Sequence, residues 1–248
     1  MRRFGLVGKK LSHSFSKLYF EEKFRNEGVT DCEYLLYEIS DPSEILKLVE
    51  ADRELCGLNV TNPFKKAVIP YLDRMSGDAA EIGAVNTILV ENTPAGAQLV
   101  GYNTDSYGFY DSLKGCTFRK ALILGSGGAA AAVRHALRRM SVETITVSRN
   151  FGSDLTYDML DREIISSADL IVNCTPLGMF PDTVSCPPIP YEFITERHFL
   201  YDLVYNPEET VFLHKGRLRH AVVTNGLEML HKQAEAAWKI WNGEQTAV

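Results

Sequence analysis

The sequence predicts an α/β protein of two domains, the second built on a doubly wound parallel sheet. Three observations carry that expectation. Apolar runs alternate with helix-like stretches along almost all of the 248 residues. The series breaks around residues 105–114 and a second begins near Lys120, so the elements fall into two sets. Strands of the second set are short and apolar without strict alternation, as strands buried on both faces are, and helical segments separate them.

In the first set, residues 4–7, 34–39, 55–60, 85–90 and 99–102 read as strands. Amphipathic segments start near Ser16, Asp41 and Pro63. The start at Asp41 is well signalled, with Asp41 as N-cap, Pro42 at the first helical position and Glu44 completing a capping box. Asn92-Thr93-Pro94-Ala95-Gly96 is a turn that joins the fourth and fifth strands as a hairpin. In the second set the strands are 121–124, 144–147, 170–172, 199–203 and 221–223. The last segment, 227–241, spaces Leu230, Ala234, Ala237, Trp238 and Trp241 along one helical face, a stripe best read as core.

Composition narrows the function classes. Hydrophobic residues make up 45% and charged residues 23%, the balance of a globular protein. The net charge of −6, with both signs interspersed, argues against nucleic acid or an anionic membrane as partner. Five scattered cysteines without a C-x-x-C pair read as reduced thiols. Six histidines without metal-ligand spacing give no metal site. The start of the sequence has too short an apolar run for a signal peptide, and no stretch is long enough to span a bilayer, so a cytoplasmic protein is expected.

The strand at 121–124 runs into Gly125-Ser126-Gly127-Gly128-Ala129-Ala130 and then an alanine-rich helix. This fits G-x-G-x-x-G/A, the Rossmann-type dinucleotide turn. Gly125 permits the tight turn, Gly127 the close approach of a pyrophosphate, and Ala130 close packing of helix on strand. The helix N-terminus then offers N–H groups to the phosphates. An NAD site usually carries an acidic residue about 20 residues further on. Here the next strand ends in Ser148-Arg149-Asn150, with no carboxylate. Arg149 can pair with a 2′-phosphate, so the expected cofactor is NADP.

Three clusters in the first domain are more polar than folding requires. Ser12-His13-Ser14-Phe15-Ser16 follows the first strand, where Ser16 would cap the next helix if the cluster is only structural. In Asn59-Val60-Thr61-Asn62-Pro63-Phe64-Lys65, Lys65 falls in a first helical turn, against the helix dipole. Gly83-Ala84-Val85-Asn86-Thr87 and Gly101-Tyr102-Asn103-Thr104-Asp105 place Asn86 and Asp105 near strand ends, either as turn formers or as ligand contacts.

Over nearly its full length the chain resembles the shikimate dehydrogenase family. The resemblance rests on the serine loop, N-V-T-x-P-x-K (59–65), G-A-V-N-T (83–87), G-x-N-T-D (101–105) and G-x-G-G-A-A (125–130). It continues through N-x-T-P-x-G-M (173–179), Y-D-L-V-Y-N-P (201–207) and N-G-x-x-M-L-x-x-Q (225–233). It implies NADPH-dependent reduction of 3-dehydroshikimate to shikimate on the aromatic amino-acid pathway. An α/β substrate domain (1–106 plus 227–248, the last helix returning to it) would accompany a Rossmann-type NADP domain (107–226).

The resemblance also implies roles for individual residues. Lys65 would be catalytic and paired with Asp105, and Ser14, Ser16, Thr61, Asn86, Tyr205 and Gln233 would hold the substrate. Gly125, Ser126, Gly127, Gly128 and Ala129 would meet the pyrophosphate, Ser148 and Arg149 the 2′-phosphate, and Thr175, Leu203 and Gly226 the nicotinamide half. Two departures stand out. Lys17 and Phe20 replace a proline and a histidine often found in the first loop, and Phe151-Gly152-Ser153 lacks a second arginine, which points to a weaker NADP preference. Alternatives are a quinate/shikimate dehydrogenase of broader specificity and a non-catalytic NADP-binding sensor, though a sensor needs no proton donor such as Lys65. A small-molecule substrate is the expected partner, and the chain would work as a monomer or homodimer.

Overall fold

The computed structural model describes residues 1–11, 14–94, 96–149 and 152–244. Ser12 and His13 of the serine cluster, Ala95 of the predicted turn, and Asn150 and Phe151 beyond Arg149 lie outside the described residues. The chain divides into two compact units, Met1–Tyr107 together with the chain from Gln233 onward, and Gly108–Lys232.

The first unit runs β1 (Arg2–Gly8), α1 (Phe15–Glu27), β2 (Cys32–Glu38), α2 (Glu44–Ala51), β3 (Leu55–Val60), α3 (Phe64–Ala67), β4 (Arg74–Met75), α4 (Gly77–Ile82), β5 (Thr87–Thr93) and β6 (Gly96–Tyr102), then enters α5 (Thr104–Ser112). Its sheet has the order β2-β1-β3-β5-β6-β4. The β1 strand lies parallel to β2 and β3, whereas β5 runs antiparallel to β3 and β6. The β5–β6 hairpin turns at the predicted place, pairing Thr93 with Gly96.

Two local expectations are corrected. The α2 helix begins at Glu44 rather than beside Asp41. One capping-box bond forms, Glu44 Oε1 accepting from the Asp41 N–H at 2.9 Å, while Asp41 Oδ1 accepts from the Ser43 N–H at 2.9 Å in place of the Glu44 N–H. They close a tighter i to i+3 turn, Glu44 N to Asp41 O at 3.1 Å, so the helix proper starts later. The segment predicted as an amphipathic helix from Pro63 is the single turn α3, followed by a 3-10 turn at Ile69–Tyr71. A one-turn helix has no separate first and last turn, so the supposed conflict between Lys65 and a dipole disappears. The β4 strand and α4 went unpredicted because two and six residues are too short for a periodic signal.

The second unit holds β7 (Lys120–Leu124), α6 (Gly128–Arg139), β8 (Glu143–Ser148), β9 (Leu155–Thr156), α7 (Arg162–Ser167), β10 (Leu170–Asn173), β11 (Phe199–Asp202), α8 (Val211–Arg217) and β12 (Val222–Thr224). Its strands are all parallel, in the order β12-β11-β10-β7-β8-β9. This is the doubly wound arrangement, with its switch point between β7 and β10. Along β7, Ala121 and Ile123 enter one hydrophobic layer and Leu122 and Leu124 the other. Both faces are thus buried, which explains the missing polar alternation.

The last described helix is α9 (Leu227–Trp241), on the predicted bounds. Trp241 stacks on Phe4 with ring centroids 4.9 Å apart, and its indole N–H donates to Ile88 O at 3.0 Å. Trp238 meets Phe4 edge-on at 5.4 Å. The tryptophan stripe is therefore core, as the spacing suggested. Among the described residues no helix is long and apolar enough to cross a membrane.

Candidate active site

The polar clusters of the first unit converge at the ends of its strands. Lys65 stands on α3, Asp105 in the first turn of α5, and Asn86 just ahead of β5. Lys65 Nζ and Asp105 Oδ2 are 2.6 Å apart, with side-chain exposures of 15% and 9%. At such burial each charge depends on the other, because removing one would strand its partner away from water. Asp105 Oδ1 accepts from Asn86 Nδ2 at 2.9 Å, so both carboxylate oxygens are engaged. Asn86 Oδ1 in turn accepts from the backbone N–H of Thr104 at 2.7 Å, satisfying an orphan donor at the start of α5 from a residue distant in sequence. The peptide of residue 65 is anchored as well, Lys65 O accepting from the Val85 N–H at 2.7 Å.

This pair sits on a wider buried network. Asn86 Nδ2 also donates to Thr104 Oγ1 at 3.0 Å and reaches Gln233 Oε1 at 3.4 Å. Thr87 and Thr104 hydroxyls lie 3.1 Å apart. Asn59 Nδ2 donates to Thr87 Oγ1 at 3.2 Å, and Asn59 Oδ1 accepts from the Tyr34 hydroxyl at 2.8 Å. Burial holds the Tyr34 phenol well above its ordinary range, while the Ser16 hydroxyl donates to it and opposes the shift. Ser16 is thereby tied to the network and does not cap α1. The cap is Ser14, whose Oγ accepts from the Ser16 N–H at 3.3 Å. Thr61 follows β3, its N–H donating to Val7 O at 3.0 Å. What results is an ammonium with three donors, only one of them given to Asp105, fixed beside amide and hydroxyl groups. Such a set suits an oxygen-rich ligand that needs a proton.

In the second unit β7 ends in Gly125, whose φ of +115° would strain any other residue; a Cβ there would also lie 3.2 Å from the Thr175 methyl. Gly127 is the N-cap of α6 with no side-chain cap, and a Cβ on it would meet nothing within 4 Å. The N-cap of α6 thus puts no side chain on the first N–H groups, in the turn that includes Ser126, Gly128 and Ala129, the arrangement by which helix N-termini take anions. At the end of β8, Ser148 is buried, with its hydroxyl donating to Ser153 Oγ at 3.1 Å, whereas Arg149 is exposed. Thr175 gives its N–H and hydroxyl to Asn173 Oδ1 at 3.0 and 2.6 Å. Gly226 packs so closely that a Cβ would sit 2.3 Å from Leu203 O. Tyr205, half-buried in the segment after β11, has its phenol pushed up by burial.

The model of the shikimate dehydrogenase substrate binding domain matches residues 6–88. Over 263 residues the chain is 36% identical to the shikimate dehydrogenase (NADP(+)) of Caldanaerobacter subterraneus subsp. tengcongensis, covering 97% of this chain and 91% of that protein. The chain belongs to the shikimate dehydrogenase family. Among solved structures, the shikimate 5-dehydrogenase of Thermus thermophilus in complex with NADP(H) and shikimate is 33% identical, with a TM-score of 0.85 and coverage of 98% and 94%. Quinate dehydrogenase from Corynebacterium glutamicum in complex with NAD is similar too, at 26% identity, a TM-score of 0.84 and coverage of 98% and 94%.

Within this shikimate dehydrogenase family member, sequence reasoning singled out Lys65, Asp105, Asn86 and Gln233, and the fold gathers them into one network. It missed Tyr34, Asn59, Thr87 and Thr104 as supports. A usable signal was present, since Asn59 and Thr87 are polar residues in otherwise apolar strands. The family departure in the first loop also has a structural account. Phe20 is fully buried and stacks on Tyr34 with centroids 4.5 Å apart, while Lys17 lies inside α1 and pairs with Glu21 at 3.7 Å.

Proposed function

We propose that this chain reduces the ring ketone of 3-dehydroshikimate to the alcohol of shikimate with NADPH, Lys65 delivering the proton. The observation that carries this reading is the partly buried Lys65–Asp105 pair, fastened by Asn86, in the unit matched by the substrate binding domain. The second unit fits the cofactor by its own geometry, through the glycine turn, the uncapped α6 N-terminus and the exposed Arg149.

Bound NADPH supplies the hydride. The chain's own groups do the rest. Negative charge growing on the carbonyl oxygen is met by the Lys65 ammonium, which transfers a proton to it; such general acid catalysis is worth about 10²–10⁴-fold. Asp105 holds the Lys65 ammonium by a 2.6 Å hydrogen bond and fixes its direction. Ser14, Ser16, Thr61, Asn86, Tyr205 and Gln233 bind the substrate's carboxylate and hydroxyls. Gly125 to Ala129 cradle the pyrophosphate, Ser148 and Arg149 take the 2′-phosphate, and Thr175, Leu203 and Gly226 line the nicotinamide half. On this reading residues 1–106 with 227–248 act as the substrate domain and 107–226 as the NADP domain, in a cytoplasmic monomer or homodimer.

A broader quinate/shikimate activity is the second reading, favoured by the likeness to the quinate dehydrogenase bound to NAD. Arg149, standing where an NAD site would carry a carboxylate, speaks against it. Rates with 3-dehydroshikimate and NADPH, beside shikimate and quinate with NADP and NAD, test both. The proposal expects the shikimate–NADP couple to dominate. A dominant quinate–NAD couple would replace it with the second reading, and no turnover of any pair would refute both.

A further inference from the structure

A carboxylate that takes no part in the proposed chemistry lies at the end of β11. Asp202 is fully buried, and three segments of the second unit donate to it. Its Oδ1 accepts from Asn173 Nδ2 at 2.9 Å and from the Val204 N–H at 3.0 Å, and its Oδ2 accepts from Thr210 Oγ1 at 2.5 Å. These donors come from the end of β10, from the segment after β11 and from the N-cap of α8. All three are donors, so a carboxylate, which only accepts, suits this position.

The consequence reaches beyond the carboxylate. Because the Asn173 amide nitrogen is committed to Asp202, its oxygen must face the other way, where it accepts from the Thr175 N–H and hydroxyl. The Thr175 hydroxyl then accepts from the Leu177 N–H at 3.3 Å, closing the turn after β10. On the other side, Val204 O accepts from the Gly226 N–H at 3.3 Å, and Asn173 O accepts from the Leu203 N–H at 3.0 Å. Asp202 thus fixes two backbone segments, the Asn173–Thr175 turn and the Leu203–Val204 stretch, the second of which packs on Gly226.

We propose that Asp202 is a positioning residue for cofactor binding, setting the Asn173–Thr175 turn and the Leu203–Gly226 junction without itself touching the cofactor. This rests on the reading that assigns Thr175, Leu203 and Gly226 to the nicotinamide half. An asparagine at 202 keeps the shape but leaves one oxygen for three donors, and its NH₂ must face either the Asn173 amide and the Val204 N–H, which cannot accept, or the Thr210 hydroxyl, which must give up its own bond to accept. It also loses the charge that strengthens every bond in the set.

The test is fluorescence titration of NADPH against wild type, Asp202→Asn, Thr210→Val and Thr210→Ser, with circular dichroism as the check on folding and shikimate KM measured beside it. For Asp202→Asn the proposal expects an NADPH Kd raised about tenfold or more, the loss of at least one charge-assisted hydrogen bond, with shikimate KM within about twofold. Thr210→Val is expected to weaken NADPH binding by roughly threefold or more, as a lost neutral-to-charged bond does, and Thr210→Ser to restore it. A purely structural role would lower the melting temperature and leave Kd in place. A folded Asp202→Asn protein whose Kd stays within twofold of wild type overturns the proposal. Should that variant fail to fold, an unchanged Kd in Thr210→Val overturns it instead. Wild type that does not bind NADPH at all would sink the dehydrogenase reading together with this inference, a result easily told apart from the other two.

Discussion

Replacing Asn86 by alanine removes the side chain on which the Lys65–Asp105 pair hangs. Two losses follow from the geometry. Asp105 Oδ1 loses its 2.9 Å donor, a hydrogen bond to a charged group worth about 1.5–3 kcal/mol. The Thr104 N–H, in a residue with no exposed surface, loses its 2.7 Å acceptor, and an unsatisfied buried donor costs about 1–3 kcal/mol. A water entering this polar site would recover part of that, which brings the expected total to about 3 kcal/mol. Both tryptophans of the chain, Trp238 and Trp241, belong to the first unit, so their fluorescence follows the unfolding of that unit alone. Urea titration should therefore show the midpoint falling by about 1–2 M at an ordinary denaturant slope. A shift below about 0.3 M would mean that Asn86 supports neither α5 nor the ion pair, and would refute the network as described.

Two further predictions concern the second unit. Burial outweighs the hydrogen bonds from Thr210, Val204 and Asn173, which favour the carboxylate, and pushes the Asp202 carboxyl up to about 6 from its ordinary 3.8, leaving it still ionised at pH 7. Folding then favours the protonated form, so this group's contribution to stability is fully present below the unfolded value and is lost as pH rises through about 6. The loss is on the order of 3 kcal/mol, and hydrogen-exchange protection of β10 and β11 at pH 4 and 7 should show it in wild type but not in Asp202→Asn; equal pH dependence in the two proteins would assign it elsewhere. Arg149→Ala should raise the KM for NADPH far more than that for NADH, about tenfold against almost none, because only NADPH carries the 2′-phosphate. Equal effects on both cofactors would remove Arg149 from that role.

Much of the architecture was legible in the residues, and for identifiable reasons. The β7 strand, its glycine turn and α6 announce themselves through a buried apolar run, glycines needed for backbone geometry and a run of alanines. The α9 helix shows its buried stripe at helical spacing, down to both tryptophans. The segments that misled are those where a helix-start signal led into a tight turn rather than straight into a long helix. At Asp41 the capping box tightened into a 3-10 turn, and after Pro63 the helix stopped at Ala67. Lys65 and Asp105 could be paired only through the family resemblance, since 40 residues separate them and no local spacing signals the contact. Asp202 was hidden more deeply. An aspartate ending an apolar strand reads like any turn former until its three donors are seen.

The account turns on the ammonium of residue 65. Steady-state oxidation of NADPH by 3-dehydroshikimate, measured for wild type and Lys65→Ala, tests it most directly. A kcat lowered about 10²-fold or more with substrate KM little changed is the predicted outcome, as expected when a group acting only in the transition state is removed. A variant turning over at close to the wild-type rate would show that the proton comes from another group.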